Sequence, residues 1–293
     1  MAVKKDPISI YGGTGILGSY YRQLFPTLLV PREQLAPCSS EVLYLISTTD
    51  NYTYKEDPLV DIETNLVALM KRLDLCRAYG IKTFNFVSSH FVYDPSHVRP
   101  DETASCEPNG FYSITKRTAE KLVMEYCNTF GIDWRILRVG NVYGGPDSGS
   151  TKRNALHFLI NKVRKNEPVQ IHRQISRDFM HIFDVCGAIH TVCEHGHWNE
   201  IYNIGTGIET PLADCVQKAK EYLGSKSSIH LVDAPVDYPQ ALRFSLDCSK
   251  LNFLGFTPSI SLEEGLQDLC SSQRLCTPDR TLTDKKLKQQ LKH

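Results

Sequence analysis

The chain has 293 residues, with 33 Lys and Arg balancing 33 Asp and Glu for a formal net charge of +0. That length can bury a substantial core without disulfide or metal staples, and the balanced charge gives no electrostatic case for a nucleic-acid or acidic-membrane partner. The longest apolar runs, such as Val42 to Ile46, fall far short of a membrane span, and the start, Met1-Ala-Val-Lys-Lys-Asp6, lacks the apolar core of a signal peptide. A cytoplasmic protein is expected. The ten cysteines are scattered without a CxxC pair, so they are read as free thiols packing as small hydrophobes, and no metal site is expected.

Ile8-Ser-Ile-Tyr11 has the pattern of a short strand and runs into Gly12-Gly-Thr-Gly15-Ile-Leu-Gly18, then a helical stretch from Ser19 to Leu24. Strand, glycine turn and helix form a phosphate-binding order. The helix start carries unpaired N–H groups and a partial positive charge, and glycines let a pyrophosphate come close. Such a turn also serves tight packing, so taken alone it leaves both uses open. Strands are predicted at Thr27 to Val30 and Val42 to Ser47, a long helix at Pro58 to Tyr79 and a strand at Lys82 to Val87. A helix follows from Phe111 to Phe130, its apolar stripe formed by Ala119, Leu122, Val123, Tyr126 and Phe130, and then a strand from Trp134 to Arg138. This alternation implies an α/β fold with a parallel, doubly wound sheet.

From Asn141 the elements shorten: helices at about Asn154 to Lys165 and Leu212 to Leu223 alternate with strands at Val169 to Ile171 and His230 to Val232. They suggest a smaller α/β lobe. The expected division is a first domain over 1–145 with about 180–206, a lobe over 146–179 and 207–276, and a polar tail over 277–293.

Tyr112 and Lys116 lie four apart near the start of the Phe111 helix and share one face. An ammonium close to a phenol favours the phenolate and makes the tyrosine a usable acid or base. A second Tyr-xxx-Lys, Tyr222 to Lys226, is expected to be cut from its helix by Gly224. Context favours Tyr112. The strand at Lys82 to Val87 runs into Ser88-Ser89-His90-Phe91, and active groups in open α/β sheets gather at the carboxyl ends of strands.

With these residues the chain resembles the extended short-chain dehydrogenase/reductases of the NAD-dependent epimerase/dehydratase family, which act on nucleotide sugars. Further matches follow in order: Asp57-Pro58 with Asn65, Leu137-Arg-Val-Gly-Asn141-Val-Tyr-Gly144, Arg177-Asp-Phe-Met-His181 with Asp184, Tyr202-Asn-Ile-Gly-Thr-Gly207, and Asp247-Cys-Ser-Lys250. The resemblance implies a Rossmann-type sheet with a smaller substrate-binding lobe, and a homodimer built on the Pro58 and Phe111 helices. It places the catalytic set on Ser89, Tyr112 and Lys116. It places the cofactor on Gly12, Gly15, Ile16, Leu17, Gly18, Arg32, Ser47, Asn65 and Lys116, and the substrate on Ser89, His90, Asn141 and Arg177. His181 and Asp184 are read as structural. His90 is read either as a solvent-facing side chain or as an extra acid/base group.

Two departures narrow the function. Only residues 31–41 separate the strands near Val30 and Val42, where the family inserts a helix and a further strand, and Pro31-Arg32-Glu33 replaces the NAD-selecting acid. Arg32 suits a 2′-phosphate and Glu33 suits ribose hydroxyls, so NAD and NADP both stay open, with NAD preferred. His90-Phe91 stands where the family's 4,6-dehydratases need an Asp-Glu pair, which disfavours them and the acid-dependent decarboxylases. The expected activity is hydride transfer at C4 of a nucleotide-linked hexose, as a 4-epimerase. The alternatives are an NADPH-dependent 4-ketoreductase of a 4-keto-6-deoxy sugar, and a non-catalytic dinucleotide-sensing or scaffold protein.

Overall fold

A computed structural model describes residues 7–33, 35–48, 57, 59–145, 155–235 and 241–271. The expected tail over 277–293 lies outside the described residues, as does Pro58. The chain divides into two compact units: one of residues 1–94, 104–139 and 189–202, and one of 95–103, 140–188 and 203–293.

The first unit opens with β1 (Ile8–Tyr11), α1 (Ile16–Leu24), β2 (Thr27–Leu29) and β3 (Glu41–Tyr44). One continuous helical run follows as α2 (Leu59–Ile62), a π-helical turn (Glu63–Val67) and α3 (Ala68–Ala78). Next come β4 (Thr83–Ser89), a 3₁₀ turn (His90–Val92), α4 (Phe111–Phe130) and β5 (Asp133–Val139). β1 pairs in parallel with β2 and β3, β3 with β4, and β4 with β5. With β9 (Glu200–Ile204) at one edge, the strand order is β2-β1-β3-β4-β5-β9. This is the doubly wound parallel sheet that the alternation of elements predicted. Among the described residues no strand lies beyond β2, and the connection after it is short.

Tyr11, Val42, Tyr44, Phe84, Phe86 and Ile136 of the sheet pack against Leu69, Leu73 and Cys76 of α3 and Ala119, Val123 and Cys127 of α4. The α4 helix has the predicted bounds, because Gly131 closes it in the left-handed region (φ 67°), where glycine meets no Cβ penalty. Its buried face differs from the predicted stripe: Phe130 is exposed and Leu122 half-buried, while Glu120 is fully buried. Glu120 is inside because Arg138 of β5 grips it with two bonds, Nε to Oε1 at 3.0 Å and Nη2 to Oε2 at 2.9 Å, and Arg117 adds a third at 2.8 Å. Paired and hydrogen-bonded in this way, the charges can be buried.

The second unit holds β6 (Asn141–Tyr143), α5 (Ala155–Arg164), β7 (Val169–His172), β8 (Ser176–His181), β10 (Glu209–Pro211), α7 (Leu212–Leu223), β11 (Ile229–Val232), α8 (Ser249–Phe253) and α9 (Leu262–Cys270). The helix α6 (Ile182–His195) starts in it. Its strands form a β10-β8-β6 sheet and a β11-β7 pair around a core that includes Leu156, Ile160, Phe179, Val216 and Leu266. Gly224 ends α7 in the left-handed region, so Tyr222 and Lys226 do not share a helix. None of the helices among the described residues is long and apolar enough to cross a membrane.

Candidate active site

The glycine turn stands at the end of β1. Gly12 has φ +79°, a left-handed conformation that side chains rarely adopt. A Cβ on Gly18 would overlap the Gly12 carbonyl and Gly13 Cα, so the closeness of α1 to the turn requires glycine there. Gly15 opens α1 with no side-chain cap and no acidic residue in the first turn, and Gly15 and Ile16 are exposed. An open, positively polarised helix start of this kind fits the diphosphate of a dinucleotide. Arg32 and Glu33, just past β2, are both exposed. The short connection is tied to β1 by the Tyr11 hydroxyl donating to the Leu35 carbonyl at 2.6 Å and by Cys38 N–H donating to Ser9 Oγ at 2.8 Å.

Ser89 ends β4 and Tyr112 begins α4. The Ser89 and Ser47 hydroxyls lie beside the Tyr112 phenol. Burial pushes the Tyr112 phenol above its ordinary value; the two serine hydroxyls act against this, and the Asp61 carboxylate adds to it. The phenol is therefore raised, where the Tyr112–Lys116 spacing predicted a depressed one. Burial of the phenol outweighs any help from the lysine. Lys116 is buried, donates from Nζ to the Val87 carbonyl at 2.7 Å and sits 4.2 Å from the Phe86 ring centroid. Desolvation lowers its ammonium to about 7, with Glu120 opposing.

Asn65 lies in the π-helical turn, a widened turn of the kind often found at functional sites. Its carboxamide accepts from Thr48 N–H at 3.0 Å and from Ser47 Oγ at 3.1 Å. It donates to Thr48 Oγ1 at 2.9 Å and Thr115 Oγ1 at 3.0 Å. Ser47 and Asn65, both predicted on the cofactor side, thus join the same network as Tyr112. His90 does not face solvent: it is 6% exposed, with Nδ1 against the Val139 carbonyl at 3.1 Å and its ring on Phe91. Following Ser89 directly, it is carried inward by the 3₁₀ turn.

Asn141 and Arg177 belong to the second unit. Asn141 Nδ2 is buried with no hydrogen-bond partner among the described residues, an open donor. Arg177 Nη1 donates to the Ser176 and Leu242 carbonyls at 2.7 and 2.9 Å. Asp178 accepts from the N–H groups of Thr206 and Gly207, both at 2.9 Å, and shapes the Gly205-Thr-Gly207 loop. Asp184 accepts from Ser259 and Ile260 N–H, and the buried His181 is pushed down to about 4 by desolvation, with His157 beside it. These contacts make His181 and Asp184 parts of the scaffold. The sequence reading did not single out Asp61, Thr48 or Thr115. Thr115 lies three residues from Tyr112 and Asp61 four from Asn65, helical spacings that carried the signal.

Parallel sheet, glycine turn and Ser-Tyr-Lys set define an extended short-chain dehydrogenase/reductase, an NAD(P)-dependent enzyme class. Within it the chain belongs to the NAD dependent epimerase/dehydratase family, whose model matches residues 38–205. The chain is 31% identical over 72% of its length, and 70% of the relative's, to a putative UDP-glucose 4-epimerase of Methanocaldococcus jannaschii. It is 33% identical over 69% of its length to an uncharacterized UDP-glucose epimerase of Bacillus subtilis, of which the match spans 64%. In fold it is similar to the UDP-glucose 4-epimerase of Thermotoga maritima solved with UDP-glucose, with TM-score 0.80 and 22% identity over 89% of this chain and 96% of that one.

Proposed function

We propose that the protein is a nucleotide-sugar 4-epimerase acting on a UDP-linked hexose with NAD. The observation that carries this reading is the Tyr112 phenol beside Ser89 at the carboxyl end of β4, in the same unit as the uncapped glycine turn. The names of the relatives support UDP-hexose as the substrate class.

In this reading Gly12, Gly15, Ile16, Leu17 and Gly18 hold the diphosphate, with Asn65 and Lys116 on the nicotinamide side. When bound, the nicotinamide supplies the acceptor and donor of hydride at C4. Tyr112, having released its own proton to solvent, takes the C4 hydroxyl proton as a phenolate while Ser89 donates to the same oxygen. After the keto sugar turns over, Tyr112 returns the proton. Asn141, with its open donor, and Arg177 are the substrate-side groups. The first unit serves as cofactor lobe, the second as substrate lobe, and the enzyme works as a cytoplasmic homodimer.

Two observations favour a second reading. Arg32 is exposed after β2, where it suits a 2′-phosphate, and a raised phenol suits proton donation to a keto sugar, so the alternative is an NADPH-dependent 4-ketoreductase. The intact Ser89, Tyr112 and Lys116 argue against a non-catalytic scaffold. The test is incubation of the purified protein with UDP-glucose and proton NMR of the sugar, alongside mass spectrometry of the denatured protein. Appearance of the C4 epimer with released NAD supports the epimerase. An unchanged sugar with NADPH bound on titration turns the assignment to the reductase.

A further inference from the structure

Asp61 is a buried carboxylate, 7% exposed, that no step above uses. Its Oδ1 accepts the hydroxyl of Thr48. The proton directions leading to it can be followed, because each group has a fixed number of donors. Asn65 gives one amide proton to Thr48 Oγ1 and the other to Thr115 Oγ1. Thr48, an acceptor there, has its own proton left for Asp61. The Ser47 proton goes to the Thr48 carbonyl at 2.7 Å or to Asn65 Oδ1 at 3.1 Å. Thr115 closes the circuit by donating to the Tyr112 carbonyl at 3.0 Å.

Among the described residues, the titratable groups around Tyr112 come from three elements: Asp61 from α2, Lys116 from α4 itself and His90 from the turn after β4. Lys116 is engaged by the Val87 carbonyl and His90 Nδ1 lies against the Val139 carbonyl. Asp61 supplies the charge that disfavours the phenolate.

We propose that Asp61 is a positioning residue for Tyr112: through Thr48, Asn65 and Thr115, whose hydroxyl holds the Tyr112 carbonyl, it fixes the first turn of α4 and with it the tyrosine side chain. This rests on Tyr112 being the proton-transfer group of the reading above, and it needs no particular sugar. The buried, fully directed network is the geometric ground, since a buried polar chain holds its members only when each is satisfied.

The test is a titration of the full chain carrying 13Cζ-labelled tyrosine, without substrate, the Tyr112 resonance being identified by its loss in Tyr112→Phe. Asp61→Asn keeps an acceptor for Thr48 and removes the charge, so Tyr112 titrates at lower pH than in the wild type. Thr48→Val keeps the charge and cuts the chain of bonds; its kcat on a nucleotide hexose falls about tenfold to a hundredfold with KM unchanged, the scale of a misplaced reacting group. An unmoved Tyr112 midpoint in Asp61→Asn, or a wild-type kcat in Thr48→Val, overturns the proposal. The titration is independent of turnover, so a shifted midpoint in a protein that turns over no hexose upholds the role of Asp61 and removes the epimerase reading instead.

Discussion

Lys116 donates from Nζ to the carbonyl of Val87 at 2.7 Å, which ties the first turns of α4 to the strand that carries Ser89 two residues later. The tie fixes the distance between the two hydroxyl-bearing residues of the site, and burial of the ammonium sets its cost. In the folded chain the lysine releases its proton near 7, against an ordinary value of 10.5.

Between those values the unfolded chain holds a proton that the folded chain has lost, so stability rises with pH across that window and the burial penalty is full below it. Denaturant melts of the wild type at pH 7, 8 and 9 are expected to show the rise, and Lys116→Met to flatten it. Equal slopes in the two proteins contradict a desolvated Lys116.

Tyr112→Phe deletes one oxygen and leaves the ring that packs edge-on to Phe91. Turnover is expected to fall on the order of 100-fold or more, the scale of a missing acid/base group, with folding and dinucleotide affinity nearly unchanged. Tyr222→Phe, whose hydroxyl meets only the exposed Glu263 side chain at 3.1 Å among its described hydrogen bonds, serves as the control and stays active. Near-normal turnover in Tyr112→Phe removes the assignment.

Much of this was legible in the chain itself, for physical reasons that differ by residue. The glycine turn and the α4 helix are local: their bounds are set by left-handed glycines and by a 3.6-residue period. The burial of Glu120 is not local, because its partner Arg138 is contributed by β5, 18 residues on. The same holds for Asp61 and Thr48, which meet across 13 residues, and for the raised phenol of Tyr112, which depends on burial rather than on the neighbouring lysine. His90, read in sequence either as solvent-facing or as an extra acid/base group, is buried by the turn that follows β4.

Arg32 is exposed just beyond β2. If the guanidinium reads a 2′-phosphate, its charge-assisted bonds contribute about 1.5 to 3 kcal/mol, and Arg32→Ala weakens NADPH roughly ten- to a hundredfold while leaving NADH untouched. Fluorescence titrations of both cofactors decide this. Equal effects on the two, or a wild-type preference for NADH, remove the NADP reading and strengthen the epimerase.

A homodimer is expected through the helices of the first unit, where Leu59, Val60, Ile62 and Val67 along one helical run and Ile114 of α4 are exposed apolar residues. Burying such a patch against a second copy is favourable. Sedimentation equilibrium at micromolar concentration is expected to give twice the chain mass of 33.2 kDa, and a single-chain mass contradicts the dimer.

The most direct test of the central claim, proton removal by Tyr112 coupled to hydride loss from C4, is a single-turnover experiment. Protein loaded with NAD is mixed anaerobically with a UDP-hexose deuterated at C4, and absorbance of reduced nicotinamide is followed. A transient rise that is slowed by the deuterium and absent in Tyr112→Phe is predicted. A rise of equal size and rate in Tyr112→Phe, or a rise in the wild type that the C4 deuterium leaves unchanged, contradicts it.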